Sequence, residues 1–157
     1  MRRAVIMALS LAATLPAAAQ REGWSYSPLP GEGDRATMGC ALDSAPDEFA
    51  CLAVRCEDDF TVGLYVHTSL AAADIGKWRI TVDKEERGFS GEPNSAGYGA
   101  RLAGDLEWLL DGLKQGAAAF LDPGGRASLS RNHIPLDGSL YAINSALAYC
   151  APRRPAD

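Results

Sequence analysis

Four cysteines, Cys40, Cys51, Cys56 and Cys150, constrain this chain of 157 residues more than any other feature. Thiols in a reducing cytosol point first to metal, whereas an oxidising space favours disulfides. The N-terminus supplies the compartment. Met1-Arg2-Arg3 is a short basic start, Ala4 to Thr14 is apolar, and Pro16 with Ala17-Ala18-Ala19 gives a break and an A-x-A site before Gln20, the pattern of a secretory signal peptide. The apolar part is too short to span a bilayer, which takes roughly 20 residues. Residues 1–19 therefore read as a signal peptide, 20–150 as a single globular domain and 151–157 as a flexible tail. The mature chain is expected in the periplasm or secreted, with no membrane insertion after signal cleavage. There, with no C-x-x-C and with neither His67 nor His133 near the thiols in sequence, the four cysteines read as structural disulfides rather than zinc ligands.

Composition narrows the partners. With the leader removed, whose only charges are Arg2 and Arg3, the chain keeps 13 basic and 20 acidic groups, a net charge of −7. An acidic surface repels phosphate backbones and anionic lipid alike, which argues against nucleic acid and membrane surfaces as partners. No cofactor is implied.

Periodicity gives the elements. Trp24 and Tyr26 mark a short opening strand. Met38-Cys40-Leu42 alternate, Ser44 to Asp47 turn, and Phe49 to Cys56 continue extended, a hairpin. A centre between Ala45 and Pro46 sets Met38 opposite Ala53, Cys40 opposite Cys51 and Leu42 opposite Phe49. A second hairpin turns at Glu57-Asp58-Asp59 into a strand from Phe60 to Thr68, with Val62, Leu64 and Val66 on one face and Thr61, Tyr65 and His67 on the other. Trp78, Ile80 and Val82 alternate likewise, and the polar stretch from Lys84 to Gly97 reads as an exposed loop. Leu102, Leu106, Leu109, Leu110 and Leu113 recur at helical spacing, with Asp105 as cap and Gly116 as stop. A third hairpin around Asp122-Pro123-Gly124-Gly125 precedes a last helix striped by Leu140, Ile143, Leu147 and Cys150. The fold class is α+β, a mostly antiparallel β sheet or sandwich covered by two helices. Of three possible connectivities, these faces favour Cys40–Cys51 across the hairpin and Cys56–Cys150 from sheet to C-terminal helix.

Motifs with chemistry are sparse. Gly31-Glu32-Gly33-Asp34-Arg35-Ala36 matches G-x-G-x-x-A, yet Pro28 and Pro30 upstream argue against the buried parallel strand a nucleotide fold needs. Gly88-Phe89-Ser90-Gly91 lacks the spacing of a nucleophile elbow. The acidic groups at Glu57 to Asp59 and at Asp83, Glu85 and Glu86 fit solvated turns, and His67 a half-buried polar face. His133, beside Ser130, Arg131 and Asn132, is the best candidate base or contact residue. Long loops in compact domains are often functional, so Phe89 and Tyr98 on the Glu85 to Tyr98 stretch are candidate anchors for a protein partner.

The layout of early Trp, Cys-bearing strand pair, Trp78-Arg79-Ile80-Thr81-Val82-Asp83, Leu109-Leu110-Asp111-Gly112-Leu113-Lys114-Gln115-Gly116 and Ile134-Pro135-Leu136-Asp137-Gly138-Ser139 resembles the invasion-associated locus B family of small bacterial periplasmic proteins. That family's cysteine pair between central strand and Leu-rich helix has no counterpart between Glu85 and Leu113. The resemblance implies a β-rich, sandwich-like envelope protein, linked in some members to host-cell entry, with no catalytic residues to carry over. The expected function is an exported, non-enzymatic binding or interaction protein of the bacterial envelope. Its alternatives are a periplasmic inhibitor of an envelope-attacking hydrolase such as lysozyme, and an exported hydrolase using His133.

Overall fold

The computed structural model describes residues 23–26, 35–70, 74–94, 99–125 and 128–151. The expected leader, most of the expected tail and Tyr98 lie outside the described residues. Period-two alternation produces nine strands: β1 (Gly23–Tyr26), β2 (Ala36–Cys40), β3 (Ala50–Cys56), β4 (Val62–Thr68), β5 (Gly76–Val82), β6 (Glu85–Glu92), β7 (Ala100–Ala103), β8 (Ala118–Pro123) and β9 (His133–Pro135). Two helices, α1 (Leu106–Gln115) and α2 (Ser139–Leu147), complete the described elements. All strand pairings are antiparallel, in one sheet ordered β1-β2-β3-β4-β7-β6-β5-β8-β9. The sheet curls until its last strand meets the segment after β2, where the Leu42 N–H donates to His133 O at 2.9 Å.

One face of the sheet carries the main core. Leu52, Leu64, Trp78, Ile80, Leu102 and Leu121 point inward and meet Leu109 and Leu113 of α1 and Ile143 of α2. Trp24 packs against this core while remaining partly exposed. The opposite face of β2, β3 and β4 holds a second cluster of Met38, Cys40, Cys51, Ala53 and Tyr65.

Asp105 caps α1 by accepting from the Trp108 N–H at 3.1 Å, and Gly116 ends it. Gly112, which costs a helix interior about 1 kcal/mol, lets α1 approach β5. A Cβ there would sit 3.2 Å from Val82 Cγ1. The Ser139 hydroxyl donates to Leu113 O at 2.6 Å and ties α2 to α1.

Both expected bridges are present, Cys40–Cys51 and Cys56–Cys150, as is the Met38–Ala53 register beside the first. Several expectations need correction. The Lys84 to Gly97 stretch is largely β6 rather than an exposed loop, paired with β5 from Gly76–Gly91 to Val82–Glu85. Leu102 belongs to β7 rather than to the helix. Leu42 leaves the first hairpin's ladder to bond β9 instead of facing Phe49. On α2 the buried face is Ser139, Ala142, Ile143 and Ala146, and Leu140 is 52 % exposed. The third hairpin is wide, because β9 begins only at His133.

Phe60 sits in the β3–β4 turn and not in β4. The Glu57 N–H donates to Thr61 O at 2.8 Å and the Phe60 N–H to Glu57 O at 3.0 Å, with Phe60 at φ 65°. A left-handed conformation costs an L-residue about 1–2 kcal/mol.

The Cys56–Cys150 bridge closes a separation of 94 residues, against 11 for Cys40–Cys51. In the chain-entropy model the longer loop stabilises by about 4–5 kcal/mol and the shorter by about 2–3. Urea unfolding of the Cys56→Ala/Cys150→Ala and Cys40→Ala/Cys51→Ala variants should show the larger loss of midpoint in the former.

Candidate functional site

Of the three candidate contact residues, the structure buries one and exposes another in part. Phe89 lies on β6 opposite Trp78, is 4 % exposed and stacks on Trp108 with ring centroids 6.2 Å apart, so it is a core residue and not a surface anchor. Its burial was hidden because the alternate positions of β6 carry Glu86, Gly88 and Ser90, a composition that reads as loop.

His133 is half-buried at the start of β9, in register with Phe120 of β8. Alternation explains the pair: Ala119 and Leu121 point into the core, so Phe120 between them points out. The two rings stack nearly parallel, 11° apart, with centroids at 4.7 Å. Phe120 is 37 % exposed and Leu42 beside His133 is 41 % exposed, forming a short apolar strip on the outer surface.

Next to the strip lies an open cleft of about 470 Å³ lined by Leu42, Asp43, Glu48, Ser130, Arg131 and His133, among others. Its charges are already matched. The Glu48 carboxylate accepts from the Ser130 hydroxyl and from Arg131 Nε at 3.1 Å, and Arg131 Nη1 lies 3.9 Å from Asp43. The Ser130 hydrogen bond, followed by Arg131, holds the Glu48 carboxyl below its usual range. A second hollow of about 340 Å³ shares Glu48, Ser130 and Arg131 and reaches Phe49 and Ser69.

Another open cleft, about 750 Å³, lies elsewhere, between the β5–β6 turn and α1. Trp108 is fixed there, its indole N–H donating to Glu85 at 3.0 Å and its ring beneath the Arg87 guanidinium at 4.6 Å. Asp83 in the same cleft accepts from the Ala117 and Ala118 N–H groups at 2.9 and 3.1 Å. These bonds hold α1 and β8 against the hairpin.

His67 is half-buried, as its strand face suggested, and stands beside Asp74, a buried carboxylate that the sequence pattern did not single out. Asp74 is 2 % exposed and accepts from the Thr68 hydroxyl at 2.6 Å, while its Oδ2 stands 3.9 Å from His67 Nδ1, beyond hydrogen-bond reach. Burial raises the Asp74 pKa and lowers that of His67. Trp78 donates its indole N–H to Asp74 O at 2.9 Å, so the carboxylate's segment is part of the core frame.

Among the described residues, no carboxylate or hydroxyl bonds His133, and no three His, Cys, Asp or Glu side chains converge as a metal cluster would need. The arrangement presents a short aromatic strip at the surface.

Phe89→Ala should lower unfolding free energy by about 3–5 kcal/mol, as for a buried aromatic, measured by urea denaturation; a surface anchor would change it little. Acidification gives a second check. A histidine whose folded pKa lies below its ordinary 6.5 binds its proton more tightly when unfolded, so stability should fall as pH drops below 6.5. His67→Phe should flatten the dependence of melting temperature on pH in that window. Asp74 works in the opposite sense nearer its ordinary 3.8, because a raised carboxyl pKa favours the fold at low pH. No family model, curated protein or solved structure matches the chain.

Proposed function

We propose that this chain is an exported, non-enzymatic binding protein of the bacterial envelope whose contact surface is the β8–β9 face. The observation that carries this reading is the Phe120–His133 stack, left half-exposed beside a cleft whose charged groups are paired with one another. A rigid aromatic pair presents apolar area at little entropic cost, and surrounding matched polar groups exclude water from a contact without demanding new partners.

Two disulfides suit an oxidising space, and among the described residues no helix is long and apolar enough to cross a membrane. The reading agrees with the resemblance to the invasion-associated locus B family. A net charge of −7 after removal of residues 1–19 favours a basic protein partner through electrostatic steering. A basic envelope-attacking hydrolase such as lysozyme is the specific form to test, with this chain as its inhibitor.

Titration calorimetry of the oxidised chain against lysozyme at low salt is the direct experiment. Phe120→Ala and His133→Ala should each weaken binding at least tenfold, about 1.4 kcal/mol, without changing the melting temperature by more than a few degrees. The lysozyme reading fails if no binding or inhibition is seen. The binding-face reading fails if no envelope protein retained by the wild-type chain is released by Phe120→Ala.

A further inference from the structure

The two bridges differ in what surrounds them. Cys40 and Cys51 are enclosed in the second cluster, with Met38, Ala53 and Tyr65 around them. Cys56 is as fully buried, but its partner Cys150 is only half-buried, in the turn that follows α2. A thiolate opens a disulfide by bonding one sulfur and displacing the other, so access decides which bridge exchanges and at which end. For Cys56–Cys150 the open end is Cys150 and the leaving group is Cys56. Cys40–Cys51 has no open end.

The fold also holds an acceptor for each thiol that such an exchange would make. Thr61 O lies 3.3 Å from Cys150 Sγ, and Glu57 O lies 3.8 Å from Cys56 Sγ. A disulfide sulfur carries no hydrogen and cannot donate to them, whereas a thiol is a weak donor and can. Each carbonyl already accepts one backbone N–H, Thr61 O from Glu57 and Glu57 O from Phe60, which leaves a second lone pair. Both belong to the β3–β4 turn, which has bracing of its own. Tyr65 and Arg55 both bond the Glu57 carboxylate, and Asp59 accepts from the Thr61 N–H at 3.0 Å and the Thr61 hydroxyl at 2.7 Å. The acceptors therefore stay in place when the bridge opens.

What the bridge holds is the last turn of the α2 segment. The Ser139 bond to Leu113 O ties the helix at its start, and Ala142, Ile143 and Ala146 are buried along it. Beyond Ala146, Leu147 is partly buried against the core and Ala148 and Tyr149 are exposed. The backbone bonds there are local, from the Ala148 N–H to Ser145 O at 3.3 Å and from the Cys150 N–H to Leu147 O at 2.9 Å. Cys150 supplies this segment's covalent tie to the sheet.

We propose that Cys56–Cys150 is a reversible thiol-exchange site for a dithiol reductant, which enters at Cys150 and unlatches the end of α2 while the sheet stays folded. One thiolate of the dithiol bonds Cys150 Sγ, and the S–S electron pair leaves on Cys56, which takes a proton from water. The second thiolate then bonds the first sulfur of the dithiol and displaces Cys150, which is protonated in turn. The dithiol ends as a disulfide, and its two electrons reside in the two new thiols. A disulfide oxidant reverses both steps. The site is separate from the Phe120–His133 face, so either reading can fail without the other.

Dithiothreitol titration of the folded, oxidised chain, quenched with iodoacetamide and read by peptide mass spectrometry, tests it. Cys56 and Cys150 should become alkylated at roughly tenfold less reductant than Cys40 and Cys51. Glutathione, a monothiol, quenched early in the same way, should leave its adduct on Cys150 and the alkyl group on Cys56. In the chain reduced at this bridge alone, amide hydrogen exchange should speed up at residues 147–150 while β3, β4 and β5 keep their protection, and oxidised glutathione should restore the original rates. Opening of Cys40–Cys51 first or together with the other bridge overturns the proposal, as does a first adduct on Cys56 or reduction that proceeds only in denaturant. Unchanged exchange at residues 147–150 overturns it as well, because nothing is then unlatched. A reduced chain whose β3 to β5 amides lose protection also overturns it and makes the bridge a staple of the whole fold.

Discussion

The joint between the end of β3 and the end of α2, closed by Cys56–Cys150, is the constraint on which the arrangement of layers depends. Helix α2 is nine residues long, carries no charged side chain and begins at Gly138 without a side-chain cap. A helix so short and uncapped has little stability of its own. It is held by burial of Ile143, by the Ser139 bond to α1 and by the bridge at its C-terminal end. In that position it covers β1, β2 and β3 and supports α1, which in turn rests on β5. Loss of the joint would therefore loosen both helices from opposite halves of the sheet.

Where each residue's neighbours in sequence are also its neighbours in space, the chain was legible. The Cys40–Cys51 pairing followed from a turn at Ala45–Pro46, and α1 followed from leucine spacing between Asp105 and Gly116. What escaped was set by distant contacts. Strand β6 looked like loop because glycine and charge fill its outer positions, and only pairing with Trp78 on β5 shows why Phe89 is buried. The last helix has apolar residues on two sides, so its periodicity could not say which side faced the sheet, and Leu140 proved to be outside. At the candidate site, His133 was visible as a candidate base beside Ser130, Arg131 and Asn132, whereas its partner Phe120 becomes meaningful only once β8 and β9 are in register. Asp74 was invisible for a related reason: nothing local marks a carboxylate that will be enclosed by Thr68 and Trp78.

The polar groups share a pattern that bears on function. Glu48 with Arg131, Arg79 with Asp122, Arg87 with Asp105 and Arg55 with Glu57 pair elements that are already adjacent. Exposed ion pairs add little stability, yet they leave few uncompensated charges near the clefts. Phe120 and Phe60 are among the exposed aromatic side chains.

The order of strands carries a kinetic consequence. Pairing β4 with β7 brings together Tyr65 and Arg101, and pairing β5 with β8 brings together Trp78 and Pro123, so the middle of the sheet is assembled from positions far apart along the chain. Such contacts slow a conformational search because the intervening chain must be ordered first. Both pairings fall inside the covalent ring from Cys56 to Cys150. An oxidised chain begins its search with the ends of that ring tied together, and a reduced one begins with them free. The thiol chemistry of the compartment thus governs how soon the sheet is completed as well as how firmly it holds.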